Sequence, residues 1–135
     1  MVFLRILELA RGRIMIDGVD ISTLSLKKLR SSITLIPQDP ALFENTIRIN
    51  LDPLNNFPDE RLWEILKLVG LKESFMTRDG LETEILKNGS NLSSGEKQLV
   101  CIARGLLKRS KIVLLDEATS SIDSATENKI QAAIE

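Results

Sequence analysis

The 135-residue sequence contains no histidine, no tyrosine and a single cysteine, Cys101. Without histidine, the commonest general base at neutral pH and every imidazole-based metal site are excluded. A single cysteine cannot form an internal disulfide, and because Cys101 lies within an apolar helical pattern we expect it to be a buried core residue.

Strong charge of either sign and long apolar runs are also missing. The 18 Lys and Arg residues are balanced by 19 Asp and Glu residues, and no basic stripe stands out, so the composition does not suggest a nucleic-acid partner. No apolar run is long enough to predict a transmembrane segment or a signal peptide, and a role at a membrane would therefore need partner segments.

The residues that are present favour a single α/β domain. Hydrophobic residues make up 43% of the chain, enough for an ordinary globular core. Ile33–Ile36 is rich in β-branched residues, and the continuous apolar run Ile112–Leu115 is typical of a strand buried on both faces of a parallel sheet. Residues 61–69, 93–107 and 124–134 have helical periodicity, and alternating strands and helices predict an α/β layer fold.

The first 30 residues predict smaller elements. Residues 2–9 resemble the end of an apolar helix, with Gly12 closing it. Asp17 and Gly18, flanked by two short β-rich runs, are a strong signal for a hairpin turn. Residues 25–30 suit a short helix.

The first candidate site is the pair of adjacent acids Asp116 and Glu117, which directly follows the apolar strand Ile112–Leu115. Ligands of open α/β sheets bind at the carboxyl ends of strands. Neighbouring carboxylates repel each other unless a cation or a reaction uses them, and their oxygens suit Mg²⁺ beside a nucleotide. The second acid would then orient or deprotonate a water. The alternative, a strand that ends in solvated acids, stays open on these residues alone.

The second candidate is a helix start at residues 92–98. Ser93 and Glu96 have capping-box spacing, and the small residues Ser94 and Gly95 leave backbone N–H groups accessible to an anion such as phosphate. An ordinary capped helix explains this segment equally well. The third candidate, Gln38 in a polar turn after the first strand, is compatible with a ligand to a metal or water but also with a simple turn.

Taken together and in this order, these segments resemble the ATP-binding-cassette family over essentially the whole chain. Residues 92–98 resemble its signature motif and residues 112–117 its Walker B strand. Gln38 resembles the Q-loop glutamine, and residues 121–123 resemble the D-loop. The stretch 36–53 is similar to subfamily C, the multidrug-resistance-associated exporters. Ser94 in the signature and the glutamate after the Walker B aspartate resemble the second, C-terminal nucleotide-binding domain of that subfamily.

The resemblance implies roles at the strand ends. Glu117 would be the general base for the water that attacks the γ-phosphate of ATP. Asp116 would help to hold Mg²⁺ through water. Gln38 would contact the same metal and phosphate and would couple them to the transmembrane part.

It also implies an interface between paired domains. Ser93, Ser94 and Gly95 would contact the γ-phosphate of ATP held by a second nucleotide-binding domain in a head-to-tail pair, and Asp123 would line that interface. Glu96 stands where the family often has glutamine, so it would bring a negative charge close to phosphate.

The resemblance further implies a P-loop NTPase-like α/β core with a helical subdomain at about residues 43–107, truncated at both ends. The domain would lie at the cytoplasmic face of a membrane, against the transmembrane domains of an exporter. No G-x-x-x-x-G-K-[ST] motif and no switch histidine occur in the sequence, so we expect these 135 residues alone not to hydrolyse ATP.

Three functions are therefore compared. The chain is part of an export ATPase, or a non-hydrolysing pairing or regulatory module that lends its signature face to an intact domain. A third candidate is an ATPase head of the chromosome-maintenance or DNA-repair type. The subfamily C-like residues 42–53 and the absence of heptads and of basic character argue against the third.

Overall fold

The computed structural model describes residues 2–115, 122 and 124–134. Its strands are β1 (Met15–Ile16), β2 (Val19–Asp20), β3 (Ile33–Ile36), β4 (Asn45–Thr46), β5 (Glu84–Ile85) and β6 (Ile112–Leu115). Its α-helices are α1 (Leu26–Ser32), α2 (Ile47–Leu51), α3 (Asp59–Leu68), α4 (Lys72–Met76), α5 (Ser94–Leu107) and α6 (Ser124–Ile134). Short 3₁₀ turns occur at Val2–Leu4, Ile21–Thr23, Gly80–Glu82 and Lys87–Gly89.

The predicted α/β architecture is confirmed. Strands β3 and β6 pair in parallel, with Ile33 opposite Ile112 and Ile36 opposite Leu115. Helix α5 packs against β3 of this pair and against α2 and α3. The two antiparallel pairs, β1–β2 and β4–β5, are each two residues long.

The predicted hairpin is confirmed by its backbone. Asp17 has φ 49° and Gly18 has φ 76°, so both central residues occupy the left-handed region that a type I′ turn requires. Ser25 caps α1 by accepting a hydrogen bond from the N–H of Lys28 at 3.3 Å. Both features follow from local side-chain chemistry, which is why the sequence predicts them well.

The helix predicted at residues 2–9 is wrong. Only Val2–Leu4 form a 3₁₀ turn, and Arg5 leaves the helical region at φ 49° while its guanidinium donates to the carbonyls of Ser22 and Leu24. The apolar residues that suggested a helix, Ile6 and Leu7, are more than half exposed. A helix gains most of its stability from packing an apolar face, and within the described residues Ile6 and Leu7 bury less than half of their surface.

The prediction that β6 is buried on both faces is also wrong. Ile112, Val113 and Leu114 are only partly buried, and Leu115 is 43% exposed. Among the described residues β6 pairs with β3 alone, so the parallel sheet has two strands. A two-stranded sheet cannot enclose its own strands.

The main core lies around α5. Helices α2, α3 and α4 surround it, and fully buried residues such as Leu66, Phe75 and Ile102 fill the space between them. Cys101 is 7% exposed, as expected of a core thiol, and burial raises its pKa against the opposing effects of Arg104 and the Ala41 backbone. A predicted helical subdomain at residues 43–107 would contain these helices, and its limits stay a prediction.

Helix α5 approaches β3 closely at Gly105. A Cβ atom at this position would lie 3.0 Å from Cδ1 of Ile36 and 3.1 Å from Cγ2 of Thr34. The C-terminal half of α5 is thereby placed directly against the strand that leads to Gln38.

Candidate functional site

The carboxyl ends of β3 and β6 meet at one edge of the sheet. Ile36 and Leu115 are paired across this edge, and Gln38 follows two residues later in an exposed bend. Asp116, Glu117 and Asp123 lie outside the described residues. The described part of the site at this edge is therefore Gln38 together with the end of the strand that continues into Asp116.

The helix start at Ser93 has the predicted capping box. The Oγ atom of Ser93 accepts a hydrogen bond from the N–H of Glu96 at 3.1 Å, and Oε2 of Glu96 accepts one from the N–H of Ser93 at 2.9 Å. Ser93 and Ser94 are exposed and Gly95 is partly buried, so the cap lies at the protein surface. This geometry leaves the first turn of α5 accessible to a ligand.

Two backbone donors at this cap have no acceptor within the described part of the chain. The N–H groups of Ser94 and Gly95 belong to the first turn, which has no preceding carbonyls to bind. Together with the positive end of the helix dipole they form a surface suited to an anion.

The carboxylate of Glu96 is held by α4 and by the turn that follows this helix. Its Oε1 atom accepts a hydrogen bond from Oγ of Ser74 at 2.7 Å and an ion pair from Arg78 at 3.0 Å. Partial burial alone would raise the pKa of Glu96, but the hydrogen bonds from Ser74 and the Ser93 N–H together with Arg78 outweigh it, and the net shift lowers the pKa. The negative charge that Glu96 brings to the cap is thus matched by a cation.

The two halves of the candidate site lie at opposite ends of α5. Gly105 touches Ile36 near the strand edge, whereas Ser94 is eleven residues earlier in the same helix. At 1.5 Å per residue this places the cap about 16 Å away along the helix axis. The serine cap and the contact of α5 with β3 are therefore separated by most of the length of the helix.

Sequence reasoning missed a polar cluster that joins α5 to residues 41–50. Nε of Arg104 on α5 donates to the carbonyl of Asn50 at 2.7 Å, and a terminal nitrogen donates to the carbonyl of Ala41 at 3.1 Å. The fully buried side chain of Asn50 in turn bonds the backbone N–H and carbonyl of Phe43. The hints in the sequence are Arg104, which interrupts an apolar run of α5, and Asn50, which lies between the apolar Ile49 and Leu51.

The matched family model, described as ABC transporter, covers residues 1–120. The chain belongs to the ABC transporter family. It is 50% identical over 132 residues to human ATP-binding cassette sub-family C member 2. That alignment covers 97% of this chain and 8% of the human protein. It is 49% identical over 131 residues to ABC transporter C family member 6 of Arabidopsis thaliana, covering 96% of this chain and 9% of that protein.

A solved structure agrees with these relatives. A bacterial Atm1-family ABC exporter with ATP bound superposes with a TM-score of 0.90 at 34% identity, over 98% of this chain and 24% of that one. The chain is thus a partial ABC nucleotide-binding domain of the subfamily C type, and it spans less than a tenth of the length of the subfamily C relatives named above. Within the described residues, no helix is both long and apolar enough to cross a bilayer.

Proposed function

We propose that this ABC domain takes part in ATP binding and hydrolysis that drive transmembrane export, by supplying two half-sites to a pair of nucleotide-binding domains. The observation that carries the proposal is the exposed cap at Ser93, about 16 Å along α5 from the contact of Gly105 with β3. A cap so far from its own strand edge is best used on a nucleotide held by another domain.

At the strand edge, Glu117 would be the general base and Asp116 and Gln38 would hold Mg²⁺. Gln38 fits this role because its amide oxygen is a hard ligand and because it is exposed just beyond the paired ends of β3 and β6. When bound, the metal would neutralise charge on the transferred phosphoryl group.

At the cap, Ser93, Ser94 and Gly95 would bind the γ-phosphate of ATP on the partner domain, and Asp123 would line the interface. The hydroxyl of Ser93 and the free N–H groups of Ser94 and Gly95 suit the terminal phosphate oxygens. The partners are a second nucleotide-binding domain and the transmembrane domains of an exporter, which would place the chain at the cytoplasmic face of a membrane.

The test is ATP-dependent association with an intact subfamily C nucleotide-binding domain. We expect ATP to promote a complex between the wild-type chain and the intact domain, and analytical ultracentrifugation measures this association. Gly95→Asp should weaken the association at least tenfold, because the variant adds a carboxylate to the surface that binds phosphate. Leu54→Asp adds the same charge at a residue that is 79% exposed and distant in sequence, and it should leave association unchanged. Equal association of all three chains would contradict the proposal.

The second candidate function is a pairing or regulatory module without turnover of its own. Such a module would need only the exposed cap at the start of α5. We expect no steady-state ATPase activity from this chain alone. An activity that Glu117→Gln abolishes would exclude this second function in favour of the first.

A further inference from the structure

The start of α5 at Ser93–Glu96, called the signature cap below, carries an acid where an anion should bind. Glu96 is the third residue of α5, and its Oε2 is tied to the N–H of Ser93 at 2.9 Å. An uncompensated carboxylate in the same turn as the free N–H groups of Ser94 and Gly95 would repel phosphate. Either this surface has a low affinity for phosphate, or another group neutralises the charge of Glu96.

Neutralisation comes from α4 and the residues after it. Arg78 contacts Oε1 of Glu96 at 3.0 Å, and Ser74 donates to the same atom at 2.7 Å. Glu96 thus uses one oxygen to cap α5 and the other to receive a cation and a hydroxyl. Ser74 lies in α4 and Arg78 in the turn that follows it, so both partners are separate from α5.

Arg78 is itself held in place. Its guanidinium carbon lies 5.5 Å from the centre of the Phe75 ring, and Phe75 is fully buried in the main core. Cation–π contact and the ion pair together fix the guanidinium between the core and Glu96. The side chain is only one-third exposed, so its position is defined better than that of an ordinary surface arginine.

We propose that Arg78, assisted by Ser74, is a positioning residue for the signature cap: it orients Glu96 and cancels its charge, so that the first turn of α5 keeps its affinity for phosphate. This inference rests on the proposed function, because it assumes that the cap binds the terminal phosphate of ATP. It adds a requirement for a residue outside the signature segment.

The experiment titrates the purified chain with tripolyphosphate and follows the amide signals of Ser94 and Gly95 by NMR. Arg78→Ala should raise the apparent Kd roughly fivefold at low salt, the order expected for one uncompensated charge a few ångströms from the anion. Arg78→Lys should recover most of the affinity because it keeps the charge. Arg61→Ala, which removes an arginine from a more exposed pair with Glu64, is the matched control and should leave the Kd unchanged.

The double variant Arg78→Ala with Glu96→Gln decides the mechanism. Glutamine keeps the capping bond but not the charge, so the double variant should bind tripolyphosphate as tightly as the wild type. If it binds as weakly as Arg78→Ala alone, Arg78 acts through the fold or through direct contact and the inference is wrong. An equal loss in Arg61→Ala would overturn it as a general charge effect.

The same titration distinguishes failure of the proposed function from failure of the inference about Arg78. If the wild-type amides of Ser94 and Gly95 do not respond to tripolyphosphate at all, the anion surface itself is refuted and the inference with it. If the wild type and Arg78→Ala respond equally, the cap stands and only the role of Arg78 is overturned.

Discussion

The helices around α5 and the parallel pair β3–β6 belong to one domain but are enclosed to different degrees. The helical part buries Leu66, Phe75 and Ile102 completely, whereas Leu115 of β6 is 43% exposed. Each helix of the first part has neighbours on several sides, and each strand of the second has one strand partner among the described residues. Helices can enclose a core with their nearest neighbours, whereas the burial of a strand depends on how many strands pair beside it.

The comparison makes a stability prediction that should show the largest effect. Ile102→Ala removes three carbon atoms from the centre of the helical core and should lower the free energy of unfolding by about 2–5 kcal/mol. Leu115→Ala removes as many from a half-exposed strand end and should cost less than about 1.5 kcal/mol, since much of that side chain is already in water. Urea unfolding followed by circular dichroism gives both values, and similar losses would remove the contrast.

The next largest effect is expected where the helical part joins the segment after Gln38. Arg104→Ala deletes the donors to the carbonyls of Ala41 and Asn50 and should cost about 2 kcal/mol, as is usual for hydrogen bonds from a charged group. The same denaturant titration measures it. Arg48→Ala, which breaks a partly exposed pair with Asp59, serves as the control and should change stability by less than about 1 kcal/mol. A loss no larger than that of the control would show that the cluster is not a structural link.

A smaller effect should follow from loss of the cap. Ser93→Ala removes the acceptor for the N–H of Glu96 and should destabilise the chain by about 1 kcal/mol, whereas Ser94→Ala, one residue into the helix, should be nearly neutral. Thermal melts of the two variants provide the comparison. Equal effects would mean that the capping bond does not contribute in solution.

The smallest effect is a dependence on pH. The net pKa of Glu96 is lowered in the fold, although its burial opposes this, because Ser74, the Ser93 N–H and Arg78 favour the ionised form. Its stabilising contribution is therefore present above about pH 4.3, the ordinary pKa of a glutamate in an unfolded chain, and is lost as pH falls through the lower folded pKa. Glu96→Gln should flatten that part of the curve of unfolding free energy against pH. An unchanged slope would contradict the assignment.

Local chemistry explains most of what the sequence predicts correctly. Ser25 and Ser93 are found at the helix starts where their side chains can cap, and Asp17–Gly18 forms the turn because glycine accepts a positive φ. The parallel pairing of β3 and β6 follows from two apolar runs joined through helices. The family resemblance and the α/β fold also rest on short sequence segments, and both can therefore be recognised from the sequence.

The errors arise where tertiary contacts decide. Residues 2–9 have helical composition, but Arg5 is held by the carbonyls of Ser22 and Leu24, which no local pattern reveals. The Arg78–Glu96 contact joins residues 18 positions apart and depends on the path of the intervening loop. The roles of Asp116, Glu117 and Asp123 stay predictions.

The absent side chain of Gly105 has a mechanical consequence. With Ile36 and Thr34 only 3.0–3.1 Å from where a methyl group would be, α5 rests on β3 without slack. A larger residue at position 105 would force α5 away from β3 and so change the position of the helix relative to the strand that leads to Gln38. The placement of the serine end of α5 relative to the sheet therefore depends on position 105 carrying no side chain.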